Sequence, residues 1–422
     1  MTEAASPKKL RRSLTHVGGE ARIVGDAEVG AALAWALDVR GAPGGEHEEG
    51  SDRAHVHGFH AYPARLHPDT AARLVRVATR RRRATVLDPF AGSGTVLVEA
   101  MIAGARALGT DLNPLAVKLA RCKTRLRTAG ELDAIAASAA RAREVADARR
   151  KARAGASRRY GAEDVALFDP HVLLELDGLR VGVDEERDPG VRADLALVLS
   201  SILVKVSRRA ADTAPRGAEA PRRLAAGYTA KLFFRKAEEL ARRLRERDAL
   251  LARDAIEPRV EHDDATRLES VQNASIDAIV TSPPYAGTYD YLDHHELRLR
   301  WLGLDARAFE RDELGARRDY AALDVRGAGE RARAELGAFF EAARRVLRPG
   351  GWLALVVADS AVGRGRDAGA LRAEALVTAA ARDAALELVA CASQARPHFH
   401  LPTRSAFLDR PRSEHAIVLE RA

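Results

Sequence analysis

The sequence predicts an α/β protein: short parallel strands alternating with helices, interrupted midway by a long helical insertion. Three observations predict it. Two strand–turn–helix units stand back to back between residues 85 and 118. Residues 119–257 then lose that rhythm and become rich in Ala, Arg and Leu. Strand-like runs return at residue 259 and continue to the end of the sequence. Strands that alternate with helices across tight turns make a parallel unit, because the helix must cross back over the sheet.

Each element follows from its residues. Residues 1–25 are polar and basic and are expected to be disordered. Lys8, Lys9, Arg11 and Arg12 have no apolar stretch behind them, so no secretory signal is expected. A short helix is expected over 25–39 and a Gly-rich charged loop over 40–52, making 1–53 a flexible N-terminal region. Residues 85–88 read as a strand ending at Asp88. Residues 94–103 read as a helix, with Val96, Leu97, Ala100 and Met101 at helical spacing. A second strand over 105–110 is ended by Asp111. Asn113-Pro114 opens the next helix, where the missing N–H of proline would have had no partner. Residues 54–118 are therefore read as one half of the α/β domain.

Residues 119–257 are expected to carry helices near 131–154, 194–211 and 231–253. Breaks are expected at Asp188-Pro189-Gly190 and Ala214-Pro215-Arg216-Gly217. The stretch 194–206 is apolar enough to be buried. Residues 258–422 restore the sheet with strands at 259–261, 276–280, 352–357, 386–392 and 415–420. Helices are expected at 339–347 and 370–385, and a loop at 396–413.

The charge is uneven. Residues 118–262 hold 31 Lys and Arg against 23 Asp and Glu. That excess equals the +8 of the whole chain, so the rest is balanced. A local basic excess suits a polyanion, and the insertion is a candidate nucleic-acid-binding element. A solvated helix face is the plain alternative. Ser207-Arg208-Arg209 is a candidate phosphate contact, with a charge pair at a helix C-terminus as the alternative.

Cys122 and Cys391 are too few for a disulfide framework or a zinc site, so a reducing, cytoplasmic setting is expected. No apolar run approaches the ~18–20 residues of a membrane span. His47, His55, His57, His60 and His67 precede the first strand without a cysteine partner, and no metal is expected.

Two strings carry the chemistry. In Asp88-Pro89-Phe90-Ala91-Gly92-Ser93-Gly94-Thr95, the glycines let a bound cofactor approach the backbone after a parallel strand. The small residues Ala91 and Ser93 help, and the N–H groups that open the next helix can take an anion. Asp111, in Gly109-Thr110-Asp111-Leu112-Asn113-Pro114, is suited to accept from ribose hydroxyls. Asp264 follows a strand and is a candidate for an adenine amino group or, equally, a helix N-cap. No G-x-G-x-x-G and no G-K-[ST] is present. The second string is Thr281-Ser282-Pro283-Pro284-Tyr285, a proline-stiffened loop after a strand.

Together these strings resemble the amino-methyltransferases of DNA, the N4-cytosine and N6-adenine group. Asp88, Phe90, Ala91, Gly92, Gly94 and Thr95 resemble their cofactor motif, and Ser282, Pro283, Pro284 and Tyr285 their catalytic motif. The segment from His60 and Tyr62 to Pro68 resembles their closure over the cofactor's methionine end. Residues 345–351 and 289–303 also resemble this group. The resemblance implies a class I, Rossmann-like fold with a mostly parallel sheet and a late antiparallel strand. It implies S-adenosyl-L-methionine as cofactor, held by Tyr62, the glycine turn, Asp111, Asn113 and Asp264. It implies methylation of a flipped-out base in DNA, as in DNA methylation and restriction-modification. Serine before Pro-Pro-Tyr leans toward cytosine N4. Ser282 and the Pro283 carbonyl would accept the amino hydrogens, and Tyr285 would stack on the base. The cofactor motif comes first here, as in transfer-RNA guanine N2-methyltransferases, which the chain also resembles. RNA therefore stays open as a substrate, as does a silent nucleic-acid-binding subunit of the same fold.

Overall fold

A computed structural model describes residues 20–39, 53–79, 83–212, 214, 217–220, 222–398 and 401–422. The loop expected over 40–52 lies outside the described residues. Strand β1 (Ala21–Gly25) leads into helix α1 (Ala27–Leu37), capped by Asp26, which accepts from the Val29 N–H at 2.9 Å. Helix α2 (Pro68–Ala78) precedes β2 (Thr85–Asp88), α3 (Thr95–Ile102), β3 (Arg106–Asp111) and α4 (Pro114–Thr124). The insertion consists of α5 (Ala129–Lys151), α6 (Ala162–Leu167), α7 (Pro170–Asp184), α8 (Pro189–Val206) and α9 (Tyr228–Asp248). Strands β4 (Arg259–His262) and β5 (Ile276–Thr281) follow, then α10 (Tyr291–Trp301), α11 (Arg307–Asp312), α12 (Arg317–Tyr320) and α13 (Val325–Val346). The chain ends with β6 (Leu347–Ala358), a hairpin of β7 (Ser360–Val362) and β8 (Gly369–Leu371), α14 (Ala373–Asp383), β9 (Leu386–Ala395) and β10 (Ser413–Arg421).

One eight-stranded sheet runs in the order β1-β9-β10-β6-β5-β2-β3-β4. Strands β4, β3, β2, β5 and β6 are parallel to one another. Strand β10 is antiparallel to both β6 and β9, and β1 is antiparallel to β9. The mostly parallel sheet with a late antiparallel strand is therefore observed. The chain order reverses direction between β2 and β5, so the crevice beyond their C-terminal ends is where such sheets bind ligands.

The expectation of disorder over 1–25 fails at its end. Residues 21–25 form β1, with Ile23 opposite Ala392 and Val24 opposite Cys391. Five residues with a distant partner leave no local signal to read. The Pro189 break is instead the first turn of α8, where Asp188 accepts from the N–H groups of Gly190 and Val191, both at 2.8 Å. Helix α13 starts at Val325, well before the expected 339, under an Asp324 cap.

The insertion shares its core with the α/β half. Val56, Val98, Leu115 and Leu119 pack in one apolar cluster with Ile135, Leu176, Ile202, Phe233 and Trp301. Arg222 closes the end of α8, donating to the carbonyls of Val204 at 2.7 Å, Lys205 at 3.1 Å and Ser207 at 2.8 Å. These are the carbonyls that a helix end leaves without partners. Arg208 pairs with Asp169 at 2.7 Å, and Arg209 donates to the Asp212 carbonyl at 3.2 Å. Ser207 Oγ donates to the Val204 carbonyl at 3.0 Å and serves the end of α8, while Arg208 and Arg209 bond to groups outside that helix. Among the described residues no helix is long and apolar enough to cross a membrane.

Candidate active site

The cleft beyond β2 and β5 encloses about 870 Å³, counting its open mouth. Tyr62, Asp88, Phe90, Ala91, Gly92, Thr95, Asp111, Asn113, Asp264, Ser282 and Pro284 all line it. The fold therefore brings both sequence strings to one place, although Thr95 and Thr281 lie far apart in the chain. Gly94, Pro283 and Tyr285 do not line it.

The turn after β2 is built for close approach. Gly92 has φ +49°, and a Cβ there would lie 3.3 Å from Cε1 of Tyr62. Tyr62 thus lies over the turn, stacked on His295 with ring centroids 4.7 Å apart. Gly94 is needed for another reason. At φ +84° it caps α3, and a Cβ would meet Cα of Ala120 at 2.9 Å. A side chain at Gly94 would therefore disturb the packing of α3 against α4.

Asp111 braces the turn. Its Oδ2 accepts from the Gly92 N–H and its Oδ1 from the Asn113 N–H, both at 2.8 Å. Burial pushes its pKa up to about 6. Asp88 accepts from the Thr281 hydroxyl at 2.7 Å and the Phe90 N–H at 3.1 Å, while burial pushes its pKa up to about 7. Asp264 accepts from both the N–H and the hydroxyl of Thr266 at 2.8 Å, so it caps its own turn while lining the cleft.

Three buried atoms of the cleft wall have no hydrogen-bond partner: Ser93 Oγ, Thr95 Oγ1 and Asn113 Nδ2. Buried polar atoms are normally paired, so a polar ligand is the natural partner here. S-adenosyl-L-methionine fits this set. The α3 N-terminus, Ser93 and Thr95 offer donors for its carboxylate, and Asp111 retains lone pairs for its ribose hydroxyls. Bound there, it would supply a methyl group on a positive sulfur.

On the other strand end, Ser282 donates its hydroxyl proton to the Val356 carbonyl at 3.0 Å. Its oxygen lone pairs are left to accept. Pro283 and Tyr285 line an adjoining, mostly apolar and open hollow between α13, α14 and β8. Phe90, Pro284 and Leu314 line both spaces and form the wall between them.

Several lining residues escaped the sequence reading. Phe309, Glu313 and Leu314 close the cleft from the segment after α10. Glu313 accepts from the Tyr291 N–H at 2.6 Å and pairs with Arg318 at 2.6 Å, and burial raises its pKa. Nothing local marks them, because their role depends on contacts across the cleft. The histidines also gather more than expected. His57 Nε2 lies 2.7 Å from Glu99 Oε1, and His55 Nε2 lies 4.0 Å from it. Arg65, Lys123 and Arg243 make the same region positive, and Lys123 Nζ is buried without a hydrogen-bond partner. His55, His57 and Glu99 bring three ligand-type atoms within 4.8 Å of one another, with His57–Glu99 hydrogen-bonded among them. His47 lies outside the described residues.

Residues 59–166 match the family model of the UPF0020 RMKL-like methyltransferase domain. Over 71 residues the chain is 37% identical to the type II methyltransferase M.MvaI of Kocuria varians, a stretch covering 16% of each protein. Among solved structures it is similar to TrmN of Thermus thermophilus, with 15% identity and a TM-score of 0.31 over 85% of this chain and 49% of that one. It is also similar to the rRNA methyltransferase aviRa of Streptomyces viridochromogenes, with 11% identity and a TM-score of 0.34 over 89% of this chain and 94% of that one. The chain thus spans only a small part of the curated relative it matches and about half of the TrmN chain. The sheet order is that of a class I, Rossmann-like α/β fold, and the methyltransferase family match falls on the part of it that carries the glycine turn.

Proposed function

We propose that the protein transfers a methyl group from S-adenosyl-L-methionine to an exocyclic amino group of a base in DNA, with cytosine N4 as the acceptor. The observation that carries this reading is that Ser282 and Pro284 line the same cleft as Gly92 and Asp111. An acceptor loop and a cofactor turn in one cleft is the arrangement that amino methylation needs.

The chemistry follows from the acceptor. The lone pair of an exocyclic amino nitrogen is conjugated into the ring, so it attacks poorly. Two acceptors that take its hydrogens favour a pyramidal nitrogen. Ser282 Oγ, whose own proton is held by Val356, is one; the Pro283 carbonyl is the other. No strong base is required, because the product ammonium loses its proton readily to solvent. The gain comes from positioning and from groups already oriented. The cavity beside Tyr285 gives room for a base removed from its stack.

The order of the motifs, cofactor turn before acceptor loop, favours a second reading: guanine N2 in transfer RNA. Methyl transfer from labelled cofactor to DNA and to transfer RNA, followed by nucleoside analysis, separates the two. Label in N4-methylcytosine supports the first reading. Label only in RNA N2-methylguanine replaces it, and no transfer to either leaves a silent binding protein.

A further inference from the structure

Part of the basic excess of the insertion is gathered in one place. Lys151, Arg153, Arg158 and Arg159 lie within nine residues at the end of α5 and in the loop beyond it, and all four are exposed. None of the four has an ion pair among the described residues. The acids close by are engaged elsewhere. Asp147 faces Arg150 at 3.1 Å and Arg143 at 3.7 Å. Asp177 is buried and accepts from the Ser157 N–H at 2.7 Å, the Ser157 hydroxyl at 2.6 Å and the Tyr160 hydroxyl at 2.7 Å.

Those bonds also fix the loop. Arg149 donates to the Gly155 carbonyl at 2.8 Å and closes it on itself. Arg158 lies over Tyr160, 4.8 Å from its ring centroid, and 5.7 Å from that of Trp301. Tyr160 and Trp301 are stacked at 5.5 Å. The cations are therefore presented by an ordered platform, which lowers the entropic cost of engaging a polyanion.

The platform is linked to the cleft by α10. Its first residue, Tyr291, lines the cleft, and its last, Trp301, carries the platform. Ten helical steps span about 15 Å. One DNA strand places a phosphate about every 3.4 Å along the axis. A backbone running parallel to α10 from the cleft would reach the platform in about four to five such steps.

We propose that the 151–159 platform grips the phosphodiester backbone of DNA that flanks the target base. This rests on the DNA-base reading above. The contacts are electrostatic and carry no sequence information; they set the position of the duplex against the cleft.

The test uses the full chain and the variant Lys151→Gln, Arg153→Gln, Arg158→Gln, Arg159→Gln. Binding to a DNA duplex is followed by anisotropy across salt, with a structured RNA as a second arm. Losing four phosphate contacts should make the log–log salt slope shallower by about three to four. Affinity at moderate salt should fall more than tenfold, with cofactor binding unchanged. An Arg153→Lys, Arg158→Lys, Arg159→Lys variant should keep the slope. Arg344→Gln, Arg382→Gln, at exposed sites on α13 and α14, should keep it too. An unchanged slope in the four-fold variant overturns the proposal, even if the wild type methylates DNA. Tighter wild-type binding to RNA, lost in the variant, overturns the assignment to DNA. A wild type that binds DNA through this platform yet transfers no methyl group overturns the enzymatic reading instead.

Discussion

The hydroxyl of Thr281 donates to Oδ1 of Asp88 at 2.7 Å, joining the ends of β5 and β2 beneath the cleft. The bond ties the acceptor loop to the cofactor turn across 193 residues of sequence. Both partners are buried, Thr281 fully. The positions of Ser282 and Gly92 are therefore set by one shared contact below them.

Removing that donor should loosen both halves of the site. Thr281→Val keeps the shape but leaves a buried carboxyl short of a partner, a cost of about 1–3 kcal/mol. Denaturant unfolding should show that loss, and Thr281→Ser should recover most of it. Cofactor affinity and turnover should fall together in the valine variant. A valine variant as stable as the wild type would remove Thr281–Asp88 from this role.

The raised pKa of Asp88 has a pH consequence with a definite sign. Its folded value of about 7 lies above the ordinary 3.8, because burial disfavours the ionised form. The folded protein then holds a proton that the unfolded chain has released. Stability from this group is full below about pH 4 and is lost as pH rises through 7. The loss is on the order of 4 kcal/mol at most, from a shift of about three units. Asp111, pushed up to about 6, acts in the same direction. Asp88→Asn should flatten the decline between pH 4 and 7 in unfolding free energy. An equally steep decline in that variant would show that other groups cause it.

Gly92→Val should abolish cofactor binding while the fold survives. The new side chain would start 3.3 Å from the Tyr62 ring and fill the approach to the turn. At φ +49° it also carries backbone strain of about 1–3 kcal/mol, which a chain with this much buried core can absorb. Calorimetry on the folded variant should find no S-adenosyl-L-methionine binding. Unchanged affinity would move the cofactor elsewhere.

Much of the fold was legible because its signals are local. Strands β2, β3 and β5 are short, mostly apolar runs that end at turn residues, and they and β4 lie where the pattern puts them. Asn113 and Pro114 announce α4 by cap and first turn alone. Failures came where structure depends on distant partners. Strand β1 exists through pairing with β9, more than 360 residues away. The partners of Arg208 and Arg209, Asp169 and the Asp212 carbonyl, and the closure of α8 by Arg222 appear only in the folded chain. In the site, the glycine turn and acceptor loop were readable as strings. Glu313 and Phe309 were not, because each reaches the cleft from a segment with no pattern of its own. Gly94 was read as a cofactor residue, and the fold adds a packing reason for a residue without a side chain there, the close approach of Ala120 on α4.

Arg222 offers a direct contrast to the exposed platform. Arg222→Gln should destabilise the protein by about 1–3 kcal/mol, since several helix-end carbonyls lose their donor. The salt slope of nucleic-acid binding should stay as in the wild type. A changed slope with unchanged stability would make it a phosphate contact instead.

The acceptor loop gives the most discriminating expectation. Ser282 holds its proton on the Val356 carbonyl, so its oxygen enters the reaction as an acceptor. Ser282→Ala should lower kcat more than tenfold, with cofactor affinity unchanged, because one of two acceptors for the amino hydrogens is gone. Tyr285 lies in the adjoining cavity with Pro283, where an aromatic face can meet a base. Tyr285→Ala should weaken substrate binding by ~1–3 kcal/mol, the worth of base stacking on single strands. Both changes lie in a loop at a cavity wall, so the fold should tolerate them. The methylated nucleoside then decides the chemistry. N4-methylcytosine in DNA agrees with the serine before Pro-Pro-Tyr. N6-methyladenine would keep the mechanism and overturn the choice of base, and N2-methylguanine would move the substrate to RNA. Full activity in the doubly substituted protein would show that the amino group is held by other atoms altogether.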